Sequence, residues 1–185
     1  ALEEKGFKHA GPHSFLISPS RENNWYSDHY FNCTGVVAIG RSKKTGKEIS
    51  FLSHQDPRYF IDGNYEESQI FKQALQDSLE ELKHECEEGT IEVSLAGGNF
   101  NSTATAADYR HEHYRQSIEI LREIVQESMG FDPTVLTGPN NRIGSGTDIV
   151  VKTQNRKVSI LRNEQPSAFD PPYQANDFNT VAKTW

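Results

Sequence analysis

Cys33 and His54 are the residues of this chain best suited by type and spacing to covalent chemistry. Cysteine chemistry needs a thiolate, a group to hold or accept its proton, and a third group to orient that one. Cys33 stands just before the apolar run Val36–Ile39, and His54 just after a second run, Ile49–Leu52. Between the runs lies the polar, glycine-containing segment RSKKTGKE, which predicts a hairpin. Antiparallel strands return the chain to its starting end, so the two residues flanking the hairpin become neighbours across 20 intervening positions. The pattern leaves open that Cys33 packs beside Val36 and that His54 faces solvent in a turn. Polar neighbours, Asn32, Thr34 and Ser27, favour a working thiol at a polar strand entrance. Gln55 and Asp56 adjoin His54 as possible orienting groups.

The other thiol reads differently. Phe71, Leu75, Leu79, Leu82 and Cys86 recur at intervals of four, four, three and four, one face of an amphipathic helix over 66–88 that stops at Gly89. Cys86 on that stripe is expected to be a small core hydrophobe. A second stripe, Tyr114, Ile118, Leu121, Val125 and Met129, predicts another long helix stopped by Gly130. Its first turn carries His111, Glu112 and His113, but neighbours two apart on a helix diverge by about 200°, unlike the i, i+4 histidines of metal-binding helices. No metal is expected there.

Strands are predicted at 13–19, 36–39, 49–52, 91–98, 134–137, 147–153 and 157–161, in the order β, β, β, α, β, α, β, β, β. The glycine clusters AGGNFNST and GPNNRIGSG match neither phosphate-loop pattern and read as tight turns. From 164 to 185 three prolines and isolated aromatics predict a tail or surface strap, so 1–163 is taken as one domain. A chain of 185 residues with two cysteines is not a disulfide framework. Its formal charge of −7 argues against nucleic acid, whose binding rests on Lys and Arg neutralising phosphate. No apolar run approaches the roughly 20 residues that span a bilayer, and ALEEKGFKHAGPHS lacks the basic-then-apolar order of a secretory signal. The expected setting is the cytoplasm, or a host cell into which the domain is delivered.

In order, the segments FNC, VVAIG, ISFLSH, HQDP, VSLAGGNF and TGPNNRIGSGTDIVVKTQNRKVSILR resemble the CheD family of bacterial chemoreceptor glutamine deamidases. The wider fold group includes the catalytic domains of cytotoxic necrotizing factor and related deamidating toxins. The resemblance covers roughly residues 13–162. It implies an α+β fold, a mixed β-sandwich core with two long amphipathic helices packed on it. It also implies Cys33 as nucleophile, His54 as base and acid, and Ser27, six positions before the cysteine, as the orienting hydroxyl. The sequence departs from the family where Phe31-Asn32 replaces a small Gly-Ser pair and Gln55-Asp56 replaces apolar residues. Asn32, Thr34, Gln55, Gly98 and Asn99 are expected to line the substrate groove. The implied activity is deamidation of a protein glutamine through a thioester, with no cofactor; the negative charge favours a substrate protein with a basic patch. Two other readings share these residues: another Cys-His thiol hydrolase, such as a protease or transglutaminase, and a catalytically silent binding module.

Overall fold

Alternation along β4 (Thr34–Arg41) explains the architecture. Val36 and Ala38 fall in one buried apolar cluster, while Val37 and Ile39 fall in another. A strand covered on both faces reads as a continuous apolar run, and that is why VVAI carries no polar alternation. The computed structural model describes residues 8–9, 16–30, 33–57, 61, 65–97, 109–136 and 146–163. They form an α+β fold with two mixed sheets and two helices.

The five-stranded sheet has the order β2-β5-β4-β6-β7, where β2 is Leu16–Ile17, β5 Glu48–His54, β6 Glu92–Gly97 and β7 Thr134–Leu136. The four-stranded sheet runs β1-β3-β8-β9, from Lys8–His9, Trp25–Tyr30, Gly146–Lys152 and Lys157–Asn163. Each sheet holds one parallel pair, β6 with β7 and β1 with β3. Trp25, Val37, Ile39, Leu52, Ala96, Ile149, Val151 and Ile160 bury the face between the sheets. Helices α1 (Tyr65–Glu85) and α2 (Tyr109–Met129) cover the other face of the five-stranded sheet through Phe71, Leu75, Leu79, Leu82, Tyr114, Leu121 and Val125. Both helical stripes therefore pack as their spacing predicts.

Helix direction follows from three contacts. Lys43 N–H donates to Glu85 O at 2.9 Å, and Ser42 bridges Cys86, so α1 ends beside the β4–β5 turn. Lys83 Nζ donates to Ser128 O at 3.3 Å, which places the end of α2 there too. Packed side by side with both C-termini at the hairpin turn, the helices run parallel and begin at the opposite end, where β5 delivers His54. Gly40 makes the close fit possible: a Cβ there would lie 2.6 Å from Cys86 Sγ and 2.9 Å from Ile91 Cγ1.

Two strands differ from the sequence expectation. The two-residue β1 and the whole of β3 go unpredicted, although the resemblance implies a strand leading into the cysteine. The inward positions of β3 are Trp25 and Ser27, and its register against β8 shifts by one residue between Ser27 and Tyr30. A serine facing in and a bulge erase the period-two signal. The 164–185 segment lies outside the described residues. Among them, no helix is long and apolar enough to cross a membrane.

Candidate active site

The hairpin register sets the first relation. Val37 pairs with Leu52, and past a break the pairing resumes at Thr34 with Gln55, joined by reciprocal bonds of 3.0 and 2.8 Å. Carried through the break, this register sets His54 opposite Gly35 and Cys33 one step further on. Cys33, Gly35 and His54 then share the face that carries Val37 and Leu52, with Cys33 and His54 diagonal across the strands. Such diagonal neighbours lie about 7–8 Å apart at Cα, less at the side chains. Gly35 puts no side chain between them.

The second relation joins the two sheets. Ser27 on β3 reaches across to His54 on β5, with Ser27 Oγ and His54 Nδ1 hydrogen-bonded at 3.0 Å. Both residues are buried, at 0% and 1% exposure. The bulge after Ser27 falls where the chain leaves the four-stranded sheet for β4, a usual place for a strand to bend and re-aim a side chain. Trp25 holds the same strand down by donating its indole N–H to Ser50 O of β5 at 3.2 Å. The structure thus brings Ser27, His54 and the Cys33 position to one end of the inter-sheet core.

Cys33 is only 7% exposed and, among the described residues, packs with Trp25, Val37, Leu52 and Ala96. The cause is the cover on both faces of β4. His54 is likewise a buried end of β5, not a solvent-facing turn residue. Thr34 and Gln55 are buried on the opposite face, toward the helices, as the alternation with Val36 and Phe51 requires. Thr34 Oγ1 and Gln55 Oε1 have no hydrogen-bond partner among the described residues. Ser27 meets the His54 ring at Nδ1, while the Gln55 amide bonds Ser53 Oγ. Asn32, Gly98 and Asn99 lie outside the described residues.

Neither family models nor curated proteins match this chain.

Glu112 on α2 is exposed and pairs with Arg115 at 3.6 Å. Among the described residues no group of three or more His, Cys, Asp or Glu could hold a metal ion. Cys86 lies at the hairpin end, 1% exposed, and burial followed by the Glu85 charge pushes its thiol from the ordinary 9.0 up to about 11. The unfolded thiol ionises first as pH rises. Cys86 therefore stabilises the fold fully below pH 9 and loses that contribution as pH climbs through about 11, by at most about 3 kcal/mol. Burial raises the Tyr114 phenol as well, with the same sign in the alkaline range. Thermal melts from pH 8 to 11 are expected to fall more steeply for the native chain than for Cys86→Ala; identical slopes would contradict the assignment.

Proposed function

We propose that the chain is a cysteine-dependent protein-glutamine deamidase of the CheD-like kind. The observation that carries the reading is the buried bond between Ser27 Oγ and His54 Nδ1, on a histidine that shares a face with Cys33. In the tautomer that carries the proton on Nδ1, this nitrogen donates to the serine oxygen and Nε2 is the ring nitrogen that exchanges protons with the reaction. This is the division of labour that a thiol nucleophile needs from its base.

In the proposed reaction His54 holds the proton of Cys33, and the thiolate sulfur attacks the side-chain carboxamide carbon of a glutamine. The C=O electron pair moves to oxygen, and returns as the C–N bond breaks. His54 gives its proton to the departing nitrogen, which leaves as ammonia and a thioester. Water then attacks the thioester, His54 takes its proton, and the C–S bond breaks to give glutamate and the free thiol. The net change is one water consumed and one ammonia released. A partner protein with a basic surface suits the charge of −7.

The test is mass spectrometry of candidate substrate proteins with an ammonia assay alongside. Gln-to-Glu conversion matched by ammonia, and absent with Cys33→Ala, is the expected result. Peptide-bond cleavage without ammonia would replace the reading by a thiol protease. Incorporation of an added amine would make it a transglutaminase.

The apolar setting of Cys33 favours one further reading, a binding module in which this thiol is a core residue. Partner binding that survives Cys33→Ala, with no conversion of any glutamine, would select it.

A further inference from the structure

Between the paired stretches of the β4–β5 hairpin one ladder step is replaced by a side chain. Register runs from Arg41 with Glu48 up to Val37 with Leu52, breaks at Val36 and Gly35, and resumes at Thr34 with Gln55. At the break Val36 N–H donates to Ser53 Oγ at 2.9 Å, and the same hydroxyl donates to Val36 O at 3.2 Å. Gln55 Nε2 donates to that oxygen as well. A hydroxyl has one proton to give and two lone pairs, so these three bonds use its full capacity. Ser53 is wholly buried, as is the histidine that follows it.

In a regular antiparallel ladder the Val36 N–H would bond the carbonyl of the residue opposite, Ser53. That carbonyl belongs to the peptide unit joining Ser53 to His54. By taking the Val36 N–H, the Ser53 hydroxyl stands in for that carbonyl, at the step before the ring that meets Ser27. A planar peptide turns as one body, so its orientation sets the direction in which the His54 side chain leaves the strand.

We infer that Ser53 is a positioning residue for His54. Its hydroxyl is wedged into the β4–β5 ladder, turns the Ser53–His54 peptide, and fixes the ring between Ser27 and the Cys33 position. Gln55 holds the wedge in place by its bond to the same oxygen. This role rests on the deamidase reading above, and it acts from the helix-facing side of the sheet, behind the reacting face. It gives Gln55 a task in place of contact with substrate. Ser53 touches no reacting atom. Removing its hydroxyl lets the Val36 N–H return to the backbone carbonyl, the ladder close, and His54 rotate away from Ser27.

The experiment compares native chain, Ser53→Ala and Ser53→Thr by the pH profile of Cys33 alkylation and by kcat and KM on a glutamine substrate. Ser53→Ala is expected to lower kcat roughly 10- to 100-fold with KM little changed, as misplacement of a catalytic group by about 1 Å does. It is also expected to move Cys33 alkylation toward the pH profile of an ordinary thiol. Ser53→Thr, which keeps the hydroxyl, should restore both, and a melt of each variant reports whether the fold holds. A native profile in Ser53→Ala would overturn the positioning role alone, as would equal loss in Ser53→Thr with its fold intact. A native chain whose Cys33 alkylates like a free thiol would remove the deamidase reading, and the role with it.

Discussion

Replacing His54 by alanine is expected to lower turnover about 10³- to 10⁴-fold, the upper range for loss of a positioned acid and base. The same change should slow alkylation of Cys33 at neutral pH to the rate of an ordinary thiol, since the proposed mechanism gives its proton to His54. The two effects have one origin, and so the double variant with Cys33→Ala should be no slower than Cys33→Ala alone. Such non-additivity is the mark of groups that work as a unit. Ser27→Ala is expected to cost less, roughly 10-fold to 100-fold, because it removes orientation at Nδ1 and leaves the ring. Because His54 is 1% exposed, its removal also opens a cavity, and His54→Gln supplies a variant of closer volume. Equal turnover in the native chain and a folded His54→Gln would dismiss the histidine from the mechanism. Additive losses in the double variant would show that Cys33 and His54 do not act together.

The order of those effects bears on how the sequence and the structure relate. The hairpin that brings Cys33 and His54 together was legible because RSKKTGKE separates two apolar runs, and a hairpin leaves its flanks no freedom to part. Both helices were legible because their stripes keep a strict three-four spacing over 16 residues each. Ser27 was not legible from pattern. It reaches His54 from the other sheet, so its contact depends on sheet packing, and its polarity hides the strand that carries it. Only the spacing shared with the resembling family pointed to it. Ser53 was invisible for a related reason: its hydroxyl stands in for a backbone partner, and sequence periodicity carries no sign of which ladder step is replaced. The apolar packing of Cys33 was hidden because a residue's neighbours along the chain need not be those across the sheets. Alternation sends Thr34 to the helix side and leaves Cys33 against Trp25 and Leu52.

At the opposite end of the hairpin, Glu48→Ala is expected to destabilise the fold by about 3 kcal/mol, at the lower end of what breaking a buried ion pair costs. The Glu48 carboxylate has 11% side-chain exposure and accepts from Arg41 Nε at 3.1 Å and Arg156 Nε at 2.8 Å, with Arg156 Nη2 at 2.5 Å. Arg156 also donates to Thr90 O at 2.6 Å, so one guanidinium ties the β8–β9 turn to β5 and to the entrance of β6. Gln154 adds two bonds to the Glu48 backbone, at 3.2 and 2.8 Å. Loss of the carboxylate leaves two guanidiniums facing each other. The partial exposure of both arginines, 48% and 21%, keeps the cost from rising further. For a chain of this size about 3 kcal/mol corresponds to a fall in Tm of about 6–12 °C. Glu87→Ala removes only the exposed 3.8 Å contact with Arg41, and should change stability by less than about 0.5 kcal/mol. Arg156 adds an internal check, because its φ of 52° places a non-glycine residue in the left-handed region. Arg156→Gly loses the same bonds as Arg156→Ala but relieves that strain, so it should be the more stable of the two by about 1 kcal/mol. Well below Tm none of these variants should alter the alkylation of Cys33, which lies at the far end of β4. A change there would mean that the clamp and the Ser27–His54 end move as one.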